Sequence, residues 1–195
     1  MKRKRLKRSV VRALIAIPFI ILLIFIMTEQ PPKPKNMLAP KEVPAEYIPI
    51  YKAAEKEYGV PWELLAAHHR VETKFSRMDP LLSPAGAEGH MQFMPCTFVG
   101  WSHPTCSGLG KGEIPHVEKV NPAVISKYGG YGVDANGDGK ADPFDLEDAV
   151  FSAAHYLKAN GAADGELERA IFAYNHSQTY VNDVLHFLQE YSKNQ

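Results

Sequence analysis

Fifteen consecutive uncharged residues, Ala13 to Met27 (ALIAIPFIILLIFIM), place the strongest limit on what this chain can be. Residues 1–12 carry seven Lys or Arg residues and no acidic residue. A fifteen-residue helix spans about 22 Å, whereas the hydrocarbon core of a bilayer is about 30 Å thick. A helix that begins at Val10, with Arg12 reaching back to the headgroups, spans about 27 Å. We therefore predict a transmembrane anchor over residues 10–27, preceded by a basic cytoplasmic segment, residues 1–12.

A cleaved signal peptide is the alternative, because its apolar region has about this length. Signal cleavage needs small residues, and residues 26–30 (IMTEQ) do not supply them. Under both interpretations the basic residues stay in the cytoplasm and the rest of the chain is exported. That remainder carries 15 basic against 22 acidic residues, so we expect no nucleic-acid partner.

The residues after the apolar run divide into a linker and a helical domain. Residues 28–44 are rich in Pro and Lys and lack periodicity, which predicts a stiff linker. From residue 45 onward apolar residues recur at helical spacing, and we expect a mainly α-helical domain over residues 45–195. Gly59 suits the end of a first helix, Pro61 the start of a second, and Asp145 the N-cap of a later one. The stretch from Gly100 to Ala141 predicts a long irregular insertion.

One glutamate, Glu72, lies on an apolar face of the second predicted helix. It follows Leu65 by seven residues and His69 by three, so these side chains share one face. A carboxyl group in apolar surroundings holds its proton more tightly and can act as an acid near neutral pH. An ordinary solvated helix glutamate is the alternative.

A Gly-rich turn follows this glutamate. Residues 83–89 (SPAGAEG) allow tight or left-handed backbone. The turn leads to Met91, Gln92 and Phe93, where an amide can bind a polar ligand beside an apolar wall. We interpret this segment as part of a binding site.

Two sequence patterns together resemble a known family. Glu-Thr-x-Phe from Glu72, followed by Ser-Pro-x-Gly-Ala-x-Gly-x-Met-Gln-x-Met-Pro-x-Thr, resembles the soluble lytic transglycosylase (SLT) domain, which has a goose-lysozyme-like fold. Ile171-Phe-Ala-Tyr-Asn175 is similar to the Ala-Tyr-Asn motif of that family. The resemblance covers about residues 45–190. Two positions depart from the pattern, because Thr73 replaces the common serine and His90 replaces a small or aliphatic residue.

The resemblance implies a peptidoglycan lytic transglycosylase in which Glu72 is the single catalytic acid and then base. The product would be a 1,6-anhydro sugar, and catalysis needs no cofactor. By the same resemblance the sugar cleft is lined by Ser83, Met91, Gln92, Tyr174 and Asn175. A hydrolytic muramidase would need a second acid, for which Asp79, Glu88 and Glu113 are candidates. A non-catalytic peptidoglycan-binding module is the remaining alternative.

Residues 134–145 (DANGDGKADPFD) follow the template of a calcium-binding loop. In that template oxygen ligands occupy positions 1, 3 and 5, a glycine occupies position 6, and position 7 offers its carbonyl. Some membrane-bound lytic transglycosylases resemble this arrangement, which supports a structural Ca²⁺; an Asx-rich turn without metal is the alternative. The candidate ligands are Asp134, Asn136, Asp138, Lys140, Asp145 and, as a competing last ligand, Asp148.

Two cysteines, Cys96 and Cys106, lie in the exported part of the chain, where an oxidising compartment permits a disulfide. Two buried free thiols are the alternative. A nucleophilic Cys96 beside His103 or His116 would instead indicate a wall peptidase. A zinc site at His68, His69 and Glu72 is disfavoured, because their order is not His-Glu-x-x-His.

Overall fold

The computed structural model describes residues 42–193 of the chain. Within that range no helix is both long enough and apolar enough to cross a bilayer. The predicted anchor, residues 10–27, and the linker as far as residue 41 lie outside the described residues. By their contacts, residues 42–193 belong to one compact unit.

The described domain is built from helices, as the apolar spacing predicts. They are α1 (Ile48–Tyr58), α2 (Trp62–Thr73), α3 (Pro95–Val99), α4 (His116–Lys119), α5 (Pro122–Tyr128), α6 (Leu146–Ala159), α7 (Leu167–Asn175) and α8 (Gln178–Ser192), with a 3₁₀ turn at Ala162–Asp164. Extended pairing in the described residues is limited to isolated bridges of Glu88 with Leu82 and with Phe93. The prediction of a mainly α-helical domain is confirmed.

Local signals in the sequence set several helix ends. Gly59 follows α1 in the left-handed conformation, with φ of 73°, which a residue without a Cβ adopts easily. Pro61 is the N-cap of α2. The Asp145 side chain caps α6 by accepting the backbone N–H groups of Glu147 and Asp148.

The insertion contains more regular structure than we expected. Helices α4 and α5 lie between Gly100 and Ala141, a stretch predicted to be irregular. Asn121 caps α5, because its side-chain oxygen accepts the N–H of Ala123 at 2.9 Å, and Pro122 follows it in the first helical turn. An Asn-Pro pair is a helix-start signal. The prediction that this stretch is irregular throughout was wrong because it did not take that signal into account.

Helix α2 forms the centre of the core. Eight of its twelve residues are buried, including Leu64, Leu65 and the two histidines that follow. It packs against α8, α1 and α6. A helix that is buried on most of its circumference lies inside a domain. Its last turn therefore carries Glu72 out of the core and toward the surface.

Candidate active site

Glu72 lies in the last turn of α2 and is half-buried. The hydroxyl of Tyr180, from α8, donates a hydrogen bond of 2.5 Å to Glu72 Oε1. Burial raises the pKa of Glu72 to about 7, and the bond from Tyr180 offsets part of that rise. A carboxyl group with this pKa is about half protonated at neutral pH, so it can donate a proton and later accept one.

A buried histidine, His68, is hydrogen-bonded to the tyrosine that contacts Glu72. His68 Nδ1 lies 2.8 Å from the Tyr180 hydroxyl oxygen. Burial lowers the pKa of His68 to about 3, so the ring is neutral at pH 7. The single proton of the Tyr180 hydroxyl lies in the hydrogen bond to Glu72. The tyrosine oxygen must therefore accept from His68, which means that His68 Nδ1 is the protonated ring nitrogen. Both hydrogen bonds then point toward the carboxylate.

Tyr174, from α7, lies beside Tyr180. The two rings are parallel, with centroids 6.4 Å apart and an interplanar angle of 2°. The Tyr174 hydroxyl donates to the backbone carbonyl of Met91 at 2.9 Å. Burial raises the pKa of Tyr174 well above its ordinary value, and the charge of nearby Glu72 raises it further. Tyr174 thus links α7 to the Met91 turn beside the carboxyl group.

The turn that carries Gln92 depends on a glycine. Gly89 has a φ of 79°, and a Cβ at this position would lie 1.8 Å from the carbonyl oxygen of Pro143. Only glycine permits so close a backbone contact. Gln92 itself has a φ of 52°, and its side-chain amide donates to the Gly89 carbonyl at 2.8 Å. The amide is therefore held in place before any ligand binds.

The two departures from the family pattern lie between Glu72 and this turn. Thr73 Oγ1 donates to the backbone carbonyl of His90 at 2.8 Å. His90 Nδ1 is hydrogen-bonded to Ser76 Oγ at 2.7 Å, and its Nε2 to the carbonyl of Phe144 at 2.9 Å. These bonds join the end of α2 to the Gln92 turn and to the segment before α6.

A cleft of about 330 Å³ opens beside this network. Gln92, Phe93 and Tyr174 are among the residues that line it. Glu72 is not among the lining residues, but it reaches the cleft wall through Tyr180 and Tyr174. Sequence reasoning missed the other lining residues, which are Met94, Thr97, Trp101, Leu109, Tyr131, Tyr156, Asn160, Ala173 and His176.

Three residues expected in the cleft lie elsewhere. Met91 is fully buried in the core, so its backbone carbonyl, and not its side chain, takes part in the site. Ser83 Oγ accepts the N–H of Ala87 at 2.9 Å and borders a separate cavity. Asn175 is exposed at the end of α7 and is absent from the lining of the cleft. None of these three side chains lines the cleft.

Tyr180 has no local signal of a role in the site, because it simply follows the apolar spacing of α8. His68 was considered only as a zinc ligand together with His69. The two rings have different partners, because His69 contacts Tyr51 and Ser76. No group of three metal-ligating His, Cys, Asp or Glu side chains occurs in residues 42–193.

Two comparisons bear on this arrangement. Residues 124–169 match the model of a family described as "Transglycosylase SLT domain". A solved structure, the Escherichia coli lytic transglycosylase SLT35 in complex with bulgecin A, matches with a TM-score of 0.50 and 19% identity, over 76% of this chain and 71% of that chain. The chain therefore shares the fold of a solved lytic transglycosylase, and part of it is similar to the SLT family. No curated protein matches the chain significantly.

The acidic loop, residues 134–145, is held by hydrogen bonds to its own side chains. Both carboxylate oxygens of Asp134 accept backbone N–H groups, from Gly137, Asp138 and Gly139, at 2.9 to 3.1 Å. Asn136 Oδ1 accepts the N–H of Asp138 at 2.9 Å. These Asx turns give the loop its shape. They leave each oxygen with lone pairs for a hard cation.

The two candidate last ligands of this loop have structural partners. Asp145 caps α6 through its Oδ1. Asp148 is buried, and its carboxylate accepts three backbone N–H groups, those of Ala135, Asn136 and Asp142. Burial raises the pKa of Asp148, and these bonds oppose the rise. Asp148 thus fastens the loop to α6.

A disulfide joins Cys96, in α3, to Cys106, with the two Cα atoms 5.7 Å apart. No free cysteine is present in the described residues. Bonded sulfurs cannot act as nucleophiles, so the structure gives no support to a cysteine peptidase. His103, a proposed partner of Cys96, is instead paired with Glu118 at 3.2 Å.

Proposed function

We propose that the protein cleaves the β-1,4 bond between N-acetylmuramic acid and N-acetylglucosamine in peptidoglycan, using Glu72 as acid and then as base. The observation that carries this proposal is a half-buried carboxyl group with a raised pKa, hydrogen-bonded to Tyr180, whose ring lies beside Tyr174 in the cleft wall. The SLT family match and the fold support the choice of substrate. The structural relative is in complex with bulgecin A, which supports ligand binding in a fold of this kind.

In this reaction Glu72 donates one proton and then accepts a different one. Protonated Glu72 donates its proton to the glycosidic oxygen as the bond from that oxygen to C1 of N-acetylmuramic acid breaks. Positive charge develops at C1, as in other glycoside cleavage. The carboxylate of Glu72 then removes the proton of the C6 hydroxyl while the C6 oxygen bonds to C1. The product is a 1,6-anhydro-muramoyl end, and Glu72 regains its proton without consuming water.

Tyr180 and His68 act on the charged intermediate form of Glu72. The carboxylate that remains after proton donation accepts the hydrogen bond from Tyr180. Because His68 donates to the same tyrosine oxygen, the tyrosine hydroxyl is held in the direction of Glu72. A hydrogen bond to a charged group contributes about 1.5–3 kcal/mol. The hydrogen bond from Tyr180 thus lowers the pKa of Glu72, whereas burial raises it and keeps Glu72 protonated in the resting enzyme.

The surroundings of the three candidate second acids favour transglycosylation over hydrolysis. A hydrolytic muramidase uses a second carboxylate within about 5–9.5 Å of the acid. Glu88 is occupied by Lys119, whose Nζ donates to both of its oxygens at 2.6 and 2.8 Å. Asp79 and Glu113 are exposed, so neither has the buried surroundings of Glu72.

The test is the identity of the sugar end that the enzyme releases. Purified peptidoglycan is digested with the full-length protein, and the products are analysed by mass spectrometry, since anhydro and reducing ends differ by one water. We expect anhydro ends from the natural protein and no cleavage by Glu72→Gln, which keeps the volume of the side chain. Glu113→Gln, an exposed acid outside the cleft, is the matched control and should remain active. An active Glu72→Gln variant, or reducing ends, would exclude the proposed mechanism.

We also propose that the enzyme is anchored in the cell membrane with its SLT domain outside the cytoplasm, facing the wall. The basic and apolar pattern of residues 1–27 supports an anchor. The disulfide supports an oxidising compartment. An extended Pro-rich linker reaches about 3 Å per residue, so residues 28–44 would hold the domain tens of Å from the bilayer.

A structural Ca²⁺ in the acidic loop is a further part of the proposal. Two carboxylates and one amide, those of Asp134, Asp138 and Asn136, supply the hard oxygen donors that Ca²⁺ prefers, and Lys140 adds a carbonyl at template position 7. Asp145 and Asp148 already hold backbone N–H groups, so water would supply much of the remaining coordination. The ion would stabilise the loop and take no part in the reaction.

A further inference from the structure

We propose that Trp101 forms an additional sugar-binding subsite, in which the face of its indole ring stacks on a saccharide ring of the glycan strand. Trp101 lines the cleft, yet it is 53% exposed. The inference rests on the proposed glycan substrate, but it concerns binding and does not require cleavage. Leu109, which is 83% exposed, extends the same wall of the cleft.

The indole ring is held by a backbone that has room for it. Gly110 has a φ of 83°, and a Cβ at this position would lie 3.0 Å from the Cη2 and Cζ2 atoms of Trp101. One edge of the indole therefore lies against the backbone of Gly110, and the side chain keeps about half of its surface open.

The segment around Trp101 is closed by covalent and hydrogen bonds. Cys96 is bonded to Cys106, so Trp101 lies inside a short disulfide loop. The backbone N–H of Cys96 donates to the carbonyl of Gly110 at 2.9 Å, which joins the Gly110 segment to the start of α3. A large exposed aromatic side chain that is held rigidly loses little conformational entropy when it binds a ligand.

The chemistry of the cleft fits a neutral sugar. Its twelve lining residues in the described part of the chain include no Asp, Glu, Lys or Arg. They combine aromatic faces with amide, hydroxyl and imidazole groups, such as those of Asn160, Tyr131 and His176. A hexose ring has apolar C–H faces and a rim of hydroxyl and amide groups, so it matches a wall of this composition. A charged peptide would find no partner charge in this lining.

The position of the subsite follows from the cleft. Trp101 and Tyr174 line the same cleft, and Tyr174 stands beside the Tyr180–Glu72 pair. A glycan that places its reacting bond at Glu72 can therefore extend along the wall toward Trp101. The subsite would contribute affinity for longer strands and would leave the reacting bond untouched.

Intrinsic fluorescence can test this inference, because the chain has two tryptophans, Trp62 and Trp101. In full-length Glu72→Gln protein that also carries Trp62→Phe, emission reports on Trp101 alone, and the substrate stays intact. The probes are soluble, neutral β-1,4-linked N-acetylglucosamine oligomers of defined length. We expect a saturable blue shift with strands long enough to reach Trp101, and affinity that rises with strand length.

Substitutions at position 101 distinguish a ring that stacks on the sugar from a ring that only stabilises the fold. Trp101→Phe should bind within about threefold of the parent, whereas Trp101→Leu should bind at least tenfold more weakly, which corresponds to about 1.4 kcal/mol. Binding is followed by calorimetry, and melting temperatures verify that each variant is folded. Val117→Ala, exposed outside the cleft, is the control and should bind normally.

Two outcomes would overturn the subsite. One is an unchanged Trp101 emission at saturating glycan, and the other is equal affinity of the Leu and Phe variants. Failure of the proposed reaction looks different, because a protein that releases no anhydro ends could still bind glycan through Trp101. Disulfide removal by Cys96→Ser with Cys106→Ser should weaken binding of long strands in a protein that remains folded.

Discussion

At the level of single residues, Glu72 is set between two opposing influences. Burial favours its neutral form, and the hydrogen bond from Tyr180 favours its charged form. The result is a pKa of about 7, so the fraction of enzyme with a proton to donate falls as the pH rises through 7. The activity profile should therefore decline on its basic side near neutral pH.

Removal of the Tyr180 hydroxyl tests this balance. In Tyr180→Phe the pKa of Glu72 should rise further above its usual range, because burial would act without its main opponent. We expect the basic limb of the kcat/KM profile to move to higher pH and kcat to fall about tenfold or more, since the carboxylate loses a charge-assisted bond.

A tyrosine on the same helix provides the control. Tyr191 is also buried in α8, and its hydroxyl has no hydrogen-bond partner among the described residues. Tyr191→Phe should leave both the pH profile and kcat unchanged. A Tyr180→Phe enzyme with the parent profile would show that the hydrogen bond has no role in setting the pKa of Glu72.

At the level of elements, the sequence determined the helices better than the segments between them. Helical spacing, Gly59 and Asp145 predicted where helices lie and end, because these signals act over one or two turns. The direction of Ser83 and Met91 depends on a turn whose shape comes from contacts with distant Pro143 and Tyr174. Position along the chain does not encode such contacts. For the same reason Trp101 and Tyr180 carried no recognisable signal.

The acidic loop yields a prediction at this scale. If the loop binds Ca²⁺, chelation should lower the melting temperature of the full-length protein by several degrees, since a ligand at a hundred times its Kd stabilises the folded state by about 2.7 kcal/mol. Asp138→Ala should melt at the chelated temperature with or without Ca²⁺. Asp164→Ala, an exposed acid outside the loop, should respond like the parent. Equal melting temperatures with Ca²⁺ and with chelator would indicate an Asx-rich turn without metal.

At the level of the whole molecule, the acid carries a stability cost that depends on pH. The pKa of Glu72 is raised from 4.5 to about 7 on folding, so the folded state binds a proton more tightly than the unfolded state. Stability from this group is fully present below pH 4.5 and is lost as the pH rises toward and through 7. The difference amounts to up to about 3 kcal/mol above pH 8.

The variant Glu72→Gln should reveal this cost. It removes the charge and keeps the shape, so at pH 8 its free energy of unfolding should exceed that of the parent by as much as about 3 kcal/mol. At pH 4.5 the two proteins should differ by less than about 0.5 kcal/mol. Urea unfolding at both pH values measures the difference. A Gln variant no more stable than its parent at pH 8 would contradict the raised pKa.

The hydrogen-bond network at the end of α2 has a consequence for grafting segments between domains of this fold. Ser76 Oγ bonds both to His90 Nδ1 and to His69 Nε2, and His69 continues to the hydroxyl of Tyr51. A graft that places an aliphatic residue at position 90 removes one end of this hydrogen-bond network. The Ser76 hydroxyl then loses one of its partners, and the His69 imidazole remains bonded to an incompletely paired hydroxyl. Positions 69, 76 and 90 must therefore be exchanged as a set.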